Sequence, residues 1–252
     1  MKNEGKNIVR LQYPDGKPMA QVEHILRDSH IFLKGDGNAV WLCFATEQQA
    51  RDVLQSPGFS LQITGNGNQV FLDRISVGYL PQKGINGLLI CIGGGPDDWI
   101  DGTEPRTADR CFLSIGCHTK INGAYFLLQD SGSRVRVGED TMMSWGIDVW
   151  CTDVHTLLDR NGRCYNKGRF IDIGSHVWVG KDVKIGKNTR IADGCVVGWG
   201  SIVTKQFVEP HCLLAGVPAK VVKKSIDWDG RCINNYEAHG PSYGGNTVQE
   251  TA

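Results

Sequence analysis

The chain has 252 residues, 40% hydrophobic and 21% charged, which excludes a disordered or collagen-like chain and suffices for one large or two small domains without disulfide staples. Its 27 lysines and arginines balance 27 aspartates and glutamates. The formal net charge is therefore zero and the overall basic excess of a nucleic-acid-binding protein is absent, although a local basic patch stays compatible with that total. Nine cysteines include no CxxC pair, and no basic start followed by an apolar run reads as a leader. No stretch approaches ~18 apolar residues. The expectation is a cytoplasmic protein with reduced, mostly buried thiols and no transmembrane segment. The seven scattered histidines show no metal-ligand spacing, so no metal is expected.

In chain order, residues 21–28 read as a short helix, 39–45 as a strand and 46–54 as a second helix. Thr46 stands at the N-cap of that second helix, with Gln49 at the capping-box position. Residues 69–76 and 88–92 read as further strands. Residues 93–98 (GGGPDD) form a glycine-rich turn rather than a phosphate loop, because the Gly-Lys-Ser/Thr ending is missing. Together residues 1–110 are expected to form an irregular region of mixed α/β character, with a role in selecting an acceptor.

Residues 111–224 carry a different rhythm. Apolar residues recur every six positions at Ile173, Val179, Ile185, Ile191, Val197 and Val203. Each is followed by a small residue: Gly174, Gly180, Gly186, Ala192, Gly198 and Thr204. A more worn version runs through Ile115, Ile121, Val137, Met143 and Val149. A helix needs a period near 3.6 and an open strand a period of two, so neither fits. A chain turning three corners in about 18 residues does fit. Its inner aliphatic residue stacks on those above and below, and no coil buries that face alone. The 32 glycines suit the corners, where positive φ is expected. The fold class is therefore mainly β, a parallel β-helix or triangular solenoid. Residues 152–169 break the period, are polar and contain the turn dipeptide Asn161-Gly162. Such an insertion projects from the solenoid, often on its binding face. Residues 225–252 form an extension whose polar end is expected to be partly disordered.

Four segments carry a family likeness: CTDVH at 151–155, IDIGSHVWVG at 171–180, GWGSIVTK at 198–205 and LAGVPAKVVKK at 214–224. This set, spanning roughly residues 135–224, resembles the hexapeptide-repeat acyltransferases. In particular it resembles the branch that O-acetylates sugars, which includes capsule, lipopolysaccharide, galactoside and maltose acetyltransferases. The resemblance implies left-handed coils, a homotrimer and active sites in clefts between neighbouring subunits. It also implies acetyl-CoA as co-substrate and a sugar, sugar nucleotide or lipid-linked glycan as acceptor. Such an acceptor would be met in the cytoplasm or at the inner face of the membrane.

By that likeness His155 is the general base that removes the proton of the acceptor hydroxyl, a task suited to imidazole. Asp153 is two residues earlier, on the same face if the segment is a strand. It either orients the imidazole or is a plain corner carboxylate. Asp148, Trp145, Trp150, Asp159 and Arg160 are acceptor-binding candidates. Sugar rings stack on aromatic faces, and packing or trimer contact is the alternative role of the tryptophans. Donor-site candidates are Trp178, Gly180, Lys181, Gly198, Trp199, Gly200, Ser201, Thr204 and Lys205. Lys220 and Lys223 would meet the phosphates of coenzyme A or remain solvated. Trp199 departs from the small residue usual in the family at that place. His176 reads as structural or intersubunit. Two other readings stay open: acyl transfer to a non-glycan or amino acceptor (amino sugar, serine, antibiotic), and a non-catalytic or metal-dependent β-helix protein.

Overall fold

The computed structural model describes residues 1–94 and 106–240. Their strands form three sheets, here A, B and C, in which neighbours pair in parallel except for the last strand. Successive strands of the chain fall on different sheets, which is a parallel β-helix. In the regular stretch Ile171 pairs with Thr189, Trp178 with Val196 and Lys184 with Ile202, each partner eighteen residues on. That is the coil length expected from the period of six. The repeating aliphatic residues Ile173, Val179, Ile185, Ile191, Val197 and Val203 all point inward and are buried.

The corner glycines work differently from the expectation. Gly116, Gly138 and Gly174 are not the left-handed residues; those are His118, Asp140 and His176, two positions later, with φ of 59°, 55° and 53°. The glycines are needed for close approach between coils. A Cβ at Gly138 would lie 2.4 Å from the Ser175 amide nitrogen, and one at Gly116 2.7 Å from that of Glu139.

The division at about residue 110 does not mark a change of architecture. Strands Lys2–Glu4 and Ile8–Gln12 already belong to sheets A and B, so the β-helix runs through the region expected to be a mixed α/β unit. Coils there are longer: Lys2 pairs with Phe32 and Ile31 with Leu61, thirty residues apart. Two short helices lie in these long coils, α1 (Val22–Arg27) and α2 (Glu47–Leu54). Their buried residues Ile25, Leu26, Ala50, Val53 and Leu54 join the core. The cap of α2 forms as expected, with Thr46 Oγ1 accepting from the Gln49 N–H at 3.1 Å. Gln49 Oε1 accepts from Ala45 N–H rather than from the cap residue itself.

What fixes the register of these coils is a buried asparagine ladder. Asn38 Nδ2 donates to Asn7 Oδ1 at 2.9 Å, Asn68 Nδ2 to Asn38 Oδ1 at 3.0 Å, and the Cys111 N–H to Asn68 Oδ1 at 2.8 Å. The sequence signal was present, as GDGN at 35–38 and GNGN at 65–68. Its spacing of thirty lies outside a search for sixes.

All nine cysteines are free thiols, six of them buried. Burial pushes the Cys151 thiol up to about 12, so it packs as a small apolar group. At the other end, the strand Leu213–Gly216 turns at Val217-Pro218 into the antiparallel strand Ala219–Lys223. The chain then places Trp228 flat against His176, ring centroids 4.4 Å apart, and ends in the short helix α3 (Ile233–His239). Residues 241–252 of the expected disordered tail, and 95–98 of the glycine-rich turn, lie outside the described residues.

The ladder makes a stability prediction. Asn68→Ala leaves the Cys111 N–H and the Ala108 carbonyl without their side-chain partner in the core, so urea unfolding should show a loss of about 1–3 kcal/mol. Asn66→Ala, in the exposed column beside it, should cost about 1 kcal/mol or less.

Candidate active site

The chain leaves sheet A after strand Ile147–Trp150 and enters sheet B at Phe170–Ile173, and the inserted loop fills the corner between them. Asp130 staples both ends of the loop. Its carboxylate accepts from Thr152 Oγ1 at 2.9 Å and from the Gly168 N–H at 2.5 Å. The two limbs touch at that base, where a Cβ on Gly168 would lie 2.0 Å from the Cys151 carbonyl oxygen. At the tip Asp159 accepts from the N–H groups of Asn161 and Arg163, at 2.8 and 2.9 Å.

His155 follows a tight turn. Val154 is held at φ 67°, and the His155 N–H donates to the Asp153 carbonyl at 2.6 Å. A β-branched residue at positive φ is strained, and Thr152 Oγ1 helps hold it by accepting from the Val154 N–H at 2.9 Å. This turn overturns the alternation argument for Asp153: residues 153–155 are not a strand, so the two side chains do not share a face by pleating. The Asp153 carboxylate instead accepts from Asn166 Nδ2 at 2.8 Å and pairs with the Lys187 ammonium. Burial acts to raise its carboxyl, but Lys187 and Asn166 outweigh this and hold it below the ordinary value. Asn166 also donates to the His155 carbonyl at 2.9 Å and accepts from the Leu157 N–H at 2.8 Å, tying the two limbs together. The exposed His155 side chain has no hydrogen-bond partner among the described residues. It borders a cleft of about 180 Å³ with Asp130, Asp153, Thr156, Asn166 and Lys167.

Next to the loop base, on the outer face of sheet A, lies a groove of about 370 Å³. Asp148, Trp150, Lys184 and Thr204 line it, with Asp148 paired to Lys184 at 2.7 Å. The Trp150 ring meets Tyr125 edge-on at 5.7 Å, and its buried Nε1–H finds no acceptor among the described residues.

The structure thus gathers Asp153 and His155 in one cleft and Asp148, Trp150 and Thr204 in the adjoining groove. Lys205 lies on the same corner, its ammonium 5.3 Å from the Phe207 ring. The remaining candidates are elsewhere. Trp145, Gly180, Lys181, Gly198, Trp199, Gly200 and Ser201 occupy the corner between sheets C and A, across sheet A from the loop. Trp145 and Trp150 therefore cannot form one platform within a chain. Ser201 is fully buried and its hydroxyl accepts from the Gly216 N–H at 3.2 Å, so it is a structural hydroxyl. Asp159 and Arg160 stand at the loop tip outside the cleft, and the Asp159 carboxylate is already used by its own turn. Trp178 lies on sheet C, 6.1 Å from Trp228, with its Nε1–H unpartnered among the described residues. Lys220 and Lys223 are exposed on the last strand. His176 is structural, stacked on Trp228 and close to the carboxylates of Asp140 (3.1 Å) and Asp227 (3.3 Å). Among the described residues no three histidine, cysteine or acidic side chains are grouped to hold a metal ion.

Sequence reasoning missed Asp130, Asn166, Lys184 and Lys187. Nothing in a period of six marks them, since their partners are set by how the loop folds back.

No family model matches the chain. An uncharacterized 24.8 kDa protein in the cps region of Klebsiella pneumoniae is 41% identical over 98 residues, 39% of this chain and 43% of that one. The match spans less than half the length of that relative. The solved polysialic acid O-acetyltransferase OatWY superposes with a TM-score of 0.60 at 21% identity, covering 92% of this chain and 93% of its own. The fold is a left-handed parallel β-helix. The polysialic-acid-specific acetyltransferase NeuO is also similar, with a TM-score of 0.49 at 20% identity over 92% of this chain and 98% of its own.

The Asp153 pairing has a pH signature. A carboxyl depressed in the folded state stabilises above its unfolded value and loses that contribution as pH falls through the folded one. Amide exchange in the loop should therefore quicken as pH drops below about 3.8, relative to sheet amides after correction for intrinsic rates. Asp153→Asn should show the faster exchange already at neutral pH.

Proposed function

We propose that the protein is an acetyl-CoA-dependent O-acetyltransferase that acts on a hydroxyl of a sugar or glycan, with His155 as general base. The observation that carries this reading is the His155 turn: a strained, stapled backbone presents an imidazole without internal partners to an open cleft. The likeness of the regular coils and CTDVH segment to sugar O-acetyltransferases supports it, as does the fold shared with a polysialic acid O-acetyltransferase.

The chemistry follows from what an alcohol lacks. His155 takes the hydroxyl proton as the oxygen attacks the thioester carbonyl, and backbone N–H groups stabilise the oxyanion that forms. The carbon–sulfur bond then breaks, and the imidazolium returns the proton to the departing thiolate. Acetyl-CoA supplies the acetyl thioester. Asp153, Asn166 and Asp130 hold the loop, so the imidazole is positioned through the backbone. Trp150 offers an aromatic wall in the groove beside the cleft, suited to a sugar ring.

The donor candidates on the C–A corner face the wrong way for His155 of the same chain. A second copy solves this, which supports a homotrimer with each site shared by two neighbours. Trp199, 74% exposed, and Val217, 69% exposed, form an apolar edge on that corner for such a contact. At Gly200 a Cβ would meet nothing within 4 Å, leaving room for an extended arm. Lys220 and Lys223 are then available to the phosphates. Among the described residues no helix is long and apolar enough to cross a membrane. A cytoplasmic or membrane-peripheral place of action belongs to the same proposal.

Thiol release from acetyl-CoA, measured across neutral, acidic and amino sugars, tests the reading. One or more hydroxyl acceptors should raise the rate, and His155→Ala should lower it about 10²–10⁴-fold with unchanged circular dichroism. Full activity in His155→Ala contradicts the assignment. Transfer confined to amino acceptors moves the reaction to nitrogen.

A further inference from the structure

Zero net charge hides a strong local asymmetry on the outer face of sheet B. The register there runs Arg10, Trp41, Phe71, Ser114, Arg136, Asp172 and Arg190, one residue per coil in a single outward column. Beside it, nearer the loop, Phe112, Arg134 and Phe170 form a second column. The Trp41 and Phe71 rings stack at 4.3 Å with 3° between their planes, and Phe112 continues the ridge at 5.5 Å. Arg136 lies over Phe112 at 5.5 Å and Arg134 over Phe170 at 5.8 Å. Asp172 holds Arg134 and Arg190, at 3.2 and 3.1 Å, but one carboxylate does not neutralise two guanidiniums. Arg136 is exposed and makes no ion pair among the described residues, and the buried Nε–H of Arg134 has no acceptor there.

This face is continuous with the His155 cleft. Lys167 and Cys164 wall the cleft on one side and, on the other, a second cavity of about 440 Å³ shared with Tyr165, Arg169 and Phe170. Phe170 is itself the first residue of the sixth strand of sheet B, paired with Arg134. On the far side, Arg136, Asp172 and Arg190 line a groove of about 540 Å³ whose outer edge carries Asp193. Near the loop, therefore, the cations Arg134, Arg136, Lys167, Arg169, Lys187 and Arg190 stand against the carboxylates of Asp130, Asp153, Asp172 and Asp193. The cations are in excess.

Resting on the acetyltransferase reading for its connection to chemistry, we propose that sheet B is a docking track for an extended anionic saccharide, which it feeds into the His155 cleft. From the strand of Arg10 to that of Arg190 are six coil steps, about 29 Å at ordinary strand spacing. A ladder of groups at that spacing suits a polymer better than a single sugar. Guanidiniums pair with carboxylates in a planar, two-pronged geometry, and the aromatic ridge offers apolar contact to sugar carbons. The carboxylate-bearing polymer is favoured over a nucleic acid because the arginines alternate with an aspartate, and because the facing sides of Trp41 and Phe71 are closed on each other while Arg136 lies over Phe112, so a base cannot slot between these rings.

Calorimetric titration of the full chain, without acetyl-CoA, tests the track apart from catalysis. The probes are oligogalacturonates and sialic acid oligomers of increasing length, with maltodextrins of matching length as neutral controls. Affinity for the acidic oligomers should rise with length and fall with added salt, and maltodextrins should bind far more weakly. Arg136→Gln combined with Arg190→Gln should weaken binding about 10-fold or more at unchanged melting temperature. Lys2→Gln, on the edge of sheet A, should not. Equal binding of maltodextrins, or binding indifferent to the arginine pair, overturns the proposal. So does a single-stranded oligonucleotide of equal charge that binds as tightly with the same arginine dependence. Because no donor is present, a failure here leaves the acetyl-transfer reading standing, and a failure of thiol release leaves this binding result standing.

Discussion

Everything in this molecule follows from one constraint: a coil of the β-helix cannot bury its inner face or satisfy its backbone without the coils above and below. Stacking therefore sets the repeating aliphatic residue inward, alternates the next outward, and presses the corners so close that glycine is required at Gly116 and Gly138. The outward positions then line up in columns whether or not their chemistry matches. Column order is the reason that arginines and aromatic rings far apart in sequence meet on sheet B. It is also the reason that residues adjacent in the motifs, such as Trp199 and Thr204, end on different corners.

The cleft beside His155 lies where the rhythm breaks. The one long insertion in the regular part leaves at a corner, because a strand interrupted in mid-sheet would open the ladder. Its limbs are closed at the base by Asp130 and the Cys151–Gly168 contact, and stitched inside by Asn166. The strain at Val154 is tolerated because these bonds over-determine the turn. Precision at His155 thus comes from backbone anchoring, and of the two roles open to Asp153 its carboxylate serves Lys187 and Asn166.

The regular coils and the break at 152–169 were legible because both are local in sequence: a period of six, and the place where it stops. The N-terminal coils were not. Their thirty-residue length and the helices α1 and α2 hide the repeat, although the glycine–asparagine signatures at 35–38 and 65–68 carry it. Asp153 does share the cleft with His155, but not by strand alternation, because Val154 between them adopts positive φ. Ser201 and Asp159 were read as ligand groups from position and chemistry alone, whereas their oxygens serve Gly216 and the loop tip. Asn166 and Lys187 gave no signal because their roles exist only once the loop has closed on the next coil.

The central claim is that His155 on the A–B corner of one copy works with the C–A corner of its neighbour. A crystal structure with coenzyme A bound tests it most directly. The account predicts a closed assembly in which the pantetheine arm lies between those two corners, its sulfur beside the His155 imidazole and Trp199 of the adjoining copy along its flank. Coenzyme A held within a single chain, or bound away from the 152–169 loop, would contradict it.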